Sequence, residues 1–139
     1  DPTSAAGGTI EYVRGSHRWG RFPPATRFHA PADYRRDLAA AAATVGLTPE
    51  IVAVEVPAGG CALHHGWVWH GSDANRDRRP RRSLVAHCMS SAARFHPTVK
   101  SGVYSRYQRV GDDSMDESFF PVLWRDDGYR TPWLDGYVQ

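Results

Sequence analysis

One segment alone, "ADYRRDLAAAAATVG" from Ala32 to Gly46, has the length and spacing for a helix, and this limits the fold more than any other feature. Alanine costs nothing in a helix, Tyr34, Leu38 and Val45 fall on one apolar face, and Gly46 supplies a stop. The pattern predicts a helix at about 32–45. Elsewhere ten prolines and twelve glycines cut the chain into runs too short for a second one. "GGTIEYV" (7–13) reads as a strand entering the turn "RGSH", and residues 18–32, with Pro23, Pro24 and Pro31, read as loop. "EIVAVEV" (50–56) is a strand ended by Pro57. "CALHHGWVWH" (61–70) reads as a buried strand running out again, and "RSLVAHCMS" (82–90) as the strand that returns. The tail after Ser91 is aromatic but without period, and reads as loops and short turns. The expected fold is mainly β, one side of an antiparallel sandwich or jelly roll. The strands number roughly four to five against the eight or so of a closed jelly roll, so the barrel is expected to be incomplete.

Composition narrows the classes of function. A net charge of +2 over 139 residues, 41% of them hydrophobic, suits one globular domain and gives no electrostatic case for nucleic acid or membrane. The basic loop "RDRRPRR" is interrupted by Asp77, with Asp73 close before it, and holds no aromatic to stack a base, which argues against RNA. No run reaches the ~20 apolar residues of a membrane helix, and "DPTSAAGG" lacks the parts of a signal peptide. Cys61 and Cys88 form no disulfide framework or finger spacing, so reduced thiols and a cytoplasmic setting are expected. The first residue is Asp, in a polar Gly-containing segment, as though the chain continued a longer one.

Chemistry concentrates in "ALHHGWVWHGSDANRDRRPRRSL", residues 62–84. If 61–70 is a strand, each residue advances about 3.3 Å, which puts His64 and His70 on one face but ~20 Å apart, and His65 on the other face. One metal ion could then take only one histidine from this strand. His70, followed by the strand-ending "GSDAN", lies at an open mouth. His64 and His65 read as buried, hydrogen-bonded core histidines, and His17, His29, His87 and His96 take the same bland reading. On the returning strand Arg81 and Ser83 share a face, so a guanidinium fork and a hydroxyl could enter the hollow that His70 faces. Together they would bind a carboxylate. Arg76, Arg78, Arg79 and Arg82 read as a solvated loop.

At these residues the chain resembles the phytanoyl-CoA dioxygenase family of iron(II) and 2-oxoglutarate dependent oxygenases. "GGTIEYVRGSHRWG" is similar to the family's turn ending in Gly-Ser-His. "VPAGGCALHHGWVWHGSDANRDRRPRRSL" is similar to its Ala-Gly turn, its strand ending in His-Gly-Ser, an Asn three residues on, and an arginine eleven residues after the histidine. The two stretches cover roughly a third of the chain. The resemblance implies a double-stranded β-helix (jelly roll, cupin-like), with Fe(II), 2-oxoglutarate as co-substrate and O2. It implies His70 as the distal iron ligand, Arg81 as the binder of the far carboxylate of 2-oxoglutarate, and Ser83 as its Arg-x-Ser partner. Two features depart from the family. Arg14 stands where the turn usually has Pro, and no His-x-Asp or His-x-Glu occurs anywhere, although a facial triad needs two histidines and a carboxylate.

One expectation joins the missing motif, the low strand count and the first residue. The chain would be the C-terminal half of one oxygenase domain, completed by an N-terminal segment or a complementary chain. The reaction implied is hydroxylation of a small molecule, lipid-like or a secondary metabolite. Loop 18–36 and the aromatics Tyr104, Tyr107, Phe119, Phe120 and Trp124 are candidates to cover the mouth, or equally to seal the outside of the barrel; of these Tyr104 and Trp124 are taken as substrate contacts. A non-haem iron halogenase on the same fold, and a metal-free β-barrel that only binds, are the competing readings.

Overall fold

In the computed structural model the described residues are 1–20 and 35–137. They fall into two compact units, Asp1–Leu84 and Val85–Gln139. The first holds the regular secondary structure: strand β1 (Ile10–Val13), helix α1 (Arg36–Thr44), strand β2 (Ile51–Ala53) and strand β3 (His70–Ser72). The sheet order is β2-β1-β3, and both pairings are antiparallel. Tyr12 lies opposite Val52 on one side and His70 on the other, and Glu11 opposite Ala53 and Gly71.

The first strand is shorter than its apolar run. Gly7 and Gly8 belong to a turn, and Gly8 takes φ +68° against the backbone of Asp73 and Asn75, where a side chain has no room. Upstream, Thr3 and Thr9 carry the pairing on with side chains. Thr9, almost fully buried, donates its hydroxyl to the Val54 carbonyl, and Thr3 accepts from the Val56 amide through Oγ1. The ladder of "EIVAVEV" spans Ile51–Ala53; at its ends the Arg14 amide bonds to the Glu50 carbonyl and the Val54 amide to the Ile10 carbonyl, and farther on the partners are threonine hydroxyls and the Thr3 backbone.

Helix α1 is Arg36–Thr44 rather than 32–45; positions 32–34 of that expectation lie outside the described residues, as does most of loop 18–36. Its stop is where the sequence puts it. Gly46 has φ +68°, its amide bonds to the Ala43 carbonyl, and the Leu47 amide bonds back to Ala42, so the last carbonyls are satisfied. Leu38, Ala41 and Ala42 are buried, at the i, i+3, i+4 spacing of one face.

Two expected strands are absent. Residues 61–69 are not a strand, and Leu63 is 92% exposed; the chain folds back in a turn closed by Val68 N–H to the His65 carbonyl. Pairing begins at His70, where the run was expected to end. Residues 82–90 form no strand either, with Leu84 98% exposed. Among the described residues neither segment has a partner strand to take up its amides and carbonyls, and a ladder cannot form without one. Among the described residues the fold is therefore a small antiparallel sheet with one helix. The eight strands of a jelly roll are not seen.

The second unit has short 3-10 turns and one isolated bridge, Arg94 to Ser114. Its core centres on Phe95, Leu134 and Thr131. The Thr131 hydroxyl donates to Glu117 Oε2 and accepts from the Val122 amide, and Tyr129 donates to the same carboxylate oxygen. These bonds hold the Glu117 carboxyl below its usual pKa, the Thr131 bond most.

Candidate functional site

Strand alternation divides the sheet of the first unit into two chemically different faces. Ile10, Tyr12, Val52, His70 and Ser72 share one face by register; Glu11, Val13, Ile51 and Ala53 share the other. Helix α1 belongs to the second. Arg35, just before it, makes a bidentate ion pair with Glu11, and Leu38 lines a cleft with Glu11, Val13, Ile51 and Trp69 that His70 and Gly71 of β3 also border. That cleft measures about 40 Å³, room for a water or two. Small-molecule pockets run to about 300 Å³ and more. The cleft is thus too small for a small-molecule substrate, and the opposite face of the sheet is the open one.

Three aromatic rings gather on that face. His64 packs against Tyr12 with ring centroids 4.8 Å apart and against His70 at 4.6 Å. Burial raises the pKa of the Tyr12 phenol. The separation of ~20 Å expected for His64 and His70 is overturned, because the turn at His65–Val68 brings the chain back on itself. His64 and His65 are also exposed rather than core residues. Gly66, in the middle of "HHGWV", was the readable sign of a turn.

The backbone beside His70 is held by a residue whose role the sequence did not show. Ser16 is 1% exposed; its hydroxyl donates to the Val13 carbonyl at 2.8 Å and accepts from the Trp69 amide at 2.9 Å. Val13 N–H in turn bonds to the Trp69 carbonyl. The serine of the Gly-Ser-His turn thus fixes the residue that leads into His70.

Arg81 arrives by a loop, not on a neighbouring strand. Asn75 shapes that loop, accepting from the Asp77 amide and donating to the Arg79 carbonyl. Arg76 is paired with Asp73, Arg79 with Asp77, and Arg82 with Asp1, and all three side chains stay exposed in a solvated loop. Arg81 meets a neutral group instead: its Nη2 donates a long hydrogen bond of 3.4 Å to Ser72 Oγ. Ser72 shares its face with His70, two residues along β3. Guanidinium and imidazole are therefore brought to the same side of the sheet. Ser83 is exposed in the coil that follows, without the strand that was to give it Arg81's direction.

Tyr104 and Trp124 belong to the second unit. The Tyr104 hydroxyl is bonded to His87 Nδ1, and its ring lines an open hollow of about 260 Å³ with Met89, Phe95, Met115, Arg94 and Lys100. Trp124 is 78% exposed and is not part of that lining.

Among the described residues no group of three His, Cys, Asp or Glu side chains is placed to hold a metal ion. Two carboxylates of the first unit are committed to ion pairs, Glu11 to Arg35 and Asp73 to Arg76. No described helix is long and apolar enough to cross a membrane. A family model, phytanoyl-CoA dioxygenase, matches residues 1–83, which include the sheet, the Gly-Ser-His turn and the arginine loop. No curated protein and no solved structure matches the chain.

Proposed function

The chain belongs to the phytanoyl-CoA dioxygenase family, and on that premise we propose that its open sheet face is part of an iron(II) and 2-oxoglutarate dependent oxygenase site. The family points to that superfamily of oxygenases. The finer assignment is ours: His70 as a metal ligand, Arg81 as the anchor of the remote carboxylate of 2-oxoglutarate, and hydroxylation of a small apolar molecule as the reaction. The observation that carries it is the Arg81 to Ser72 hydrogen bond on the face that bears His70.

The described residues fit the cofactors in part. His70 Nδ1 lies 2.8 Å from the Val68 carbonyl, which can only accept, so the proton is on Nδ1 and the Nε2 lone pair is left for a metal. Arg81 has a fork not committed to a carboxylate of its own loop, as an anion anchor requires. The anionic ligand of a facial triad has no counterpart among the described residues. With iron(II) bound, the chemistry supplied is oxygen activation coupled to decarboxylation of 2-oxoglutarate to succinate. The protein's part is to orient the keto acid by its far end and to hold the imidazole in one tautomer.

Calorimetric titration of 2-oxoglutarate into the protein with Fe(II), without oxygen, tests the assignment, with succinate measured after oxygen is admitted. A charge-assisted bond contributes about 1.5–3 kcal/mol, so Arg81→Ala should weaken 2-oxoglutarate binding by roughly 10- to 150-fold. Equal binding by the variant overturns the role of Arg81. No iron uptake and no succinate from the wild-type chain favour a scaffold that only binds.

A further inference from the structure

The pair of rings on the open face does more than place one ligand. We propose that His64 and His70 together chelate a single divalent first-row transition-metal ion through their Nε2 atoms, His64 supplying a second nitrogen that the sequence spacing alone denied it. The inference rests on the reading of His70 above and extends it to a residue outside the family's motif.

Tautomers carry the first part of the argument. His64 Nδ1 lies 3.0 Å from the His65 carbonyl, and His70 Nδ1 lies 2.8 Å from the Val68 carbonyl. A carbonyl cannot donate, so each Nδ1 carries the hydrogen and each Nε2 presents its lone pair. A second bond of this kind, from the other ring nitrogen to a backbone carbonyl, is what orients histidines that bind metals. The neighbouring histidine is set the opposite way. His65 Nδ1 accepts from the Trp67 amide, which puts its proton on Nε2 and removes it as a ligand there. His96, in the second unit, likewise accepts the Thr98 and Val99 amides at Nδ1.

Distance is the second part. Zinc-to-nitrogen bonds are about 2.0–2.1 Å and the ring centre lies about 1.15 Å farther, so two imidazoles at 90–110° around one ion have centroids roughly 4.5–5.3 Å apart. The observed 4.6 Å falls in that range, with the planes at 47° to each other. Tyr12 packs against His64 at 4.8 Å and lies opposite His70 in the register, so the pair rests on a ring fixed in the central strand. Two imidazoles select the borderline ions, Fe(II), Co(II), Ni(II) or Zn(II), over magnesium and calcium.

Zn(II) titration of the uniformly 15N-labelled chain, read at the histidine ring nitrogens, tests this without any turnover. The expected result is that the Nε2 resonances of His64 and His70 move together and saturate at one ion per chain. By calorimetry, His64→Ala should weaken Zn(II) binding about tenfold or more, since loss of a ligand costs at least what loss of its outer partner does. His96→Ala should bind as the wild type. Movement of His70 alone, or wild-type affinity in His64→Ala, overturns the inference and leaves His70 and Arg81 as read above. If neither ring moves, or only Cys61 and Cys88 respond, both readings fall.

Discussion

Ser16→Ala is the sharpest test of how this fold positions its site. The substitution removes one hydroxyl, 1% exposed, that makes two hydrogen bonds, one to the Val13 carbonyl and one from the Trp69 amide. Each contributes about 0.5–1.5 kcal/mol net, and removing the Ser16 acceptor from the half-buried Trp69 N–H adds part of a further 1–3 kcal/mol. The expected loss is about 2–3 kcal/mol. Because the chain has two units, a whole-chain signal would mix their transitions, so hydrogen exchange at the amides of Tyr12, Val13 and Trp69 in native buffer is the suitable assay. Exchange at Tyr12 and Val13 should speed by roughly 30- to 150-fold, a factor of ten for each 1.4 kcal/mol, and Trp69 should lose protection with them. Ser83→Ala, at an exposed position, should change the same amides by no more than about 0.5 kcal/mol. If Ser16→Ala is equally silent, the serine does not pin the entry to β3, and the derivation of His70's placement fails with it.

Three further perturbations have defined outcomes. Gly8→Ala should destabilise the first unit by at least about 1–3 kcal/mol, because the residue sits at φ +68° and the new Cβ would lie 2.6 Å from the Asp73 carbonyl oxygen; urea unfolding that is unchanged would contradict this packing. Leu63→Ala should cost no more than about 0.5 kcal/mol, since the side chain is 92% exposed, whereas a leucine in a buried strand would cost about 2–5 kcal/mol. Asp127 has its pKa lowered to about 2 by the Arg125 side chain first and the Tyr129 amide second. Its folded pKa is below its unfolded one, so its contribution is present above about pH 4 and is lost as pH falls toward 2; acid unfolding curves of Asp127→Asn should lack that component, and superimposable curves would rule it out.

What could be read beforehand depended on whether a residue's partner was local. Helix α1 and its Gly46 stop were legible because capping and an alanine face are properties of consecutive residues. Strand β1 was legible in kind, though Gly7 and Gly8 turned out to be the turn before it. The run at 61–70 has strand-like composition, yet only its last residue pairs; nothing local reveals that the rest has no partner strand among the described residues. That single error moved His64 from ~20 Å to 4.6 Å from His70. Arg81 was singled out by a face argument that assumed a strand at 82–90. It reaches the His70 side through Asn75 and Ser72 instead, side-chain bonds that no periodicity encodes. Ser16 was visible only as a letter in a turn, since its two partners are a nearby carbonyl and an amide 53 residues away.

The middle position of β1 has a consequence for how the sheet comes apart. Each ladder has one side on these four residues, so β2 and β3 can each fray without disturbing the other, while melting of β1 dissolves both at once. Engineering along β2 can therefore alter the helix side and leave the imidazoles in register. A change at Tyr12, by contrast, is felt on both flanks together.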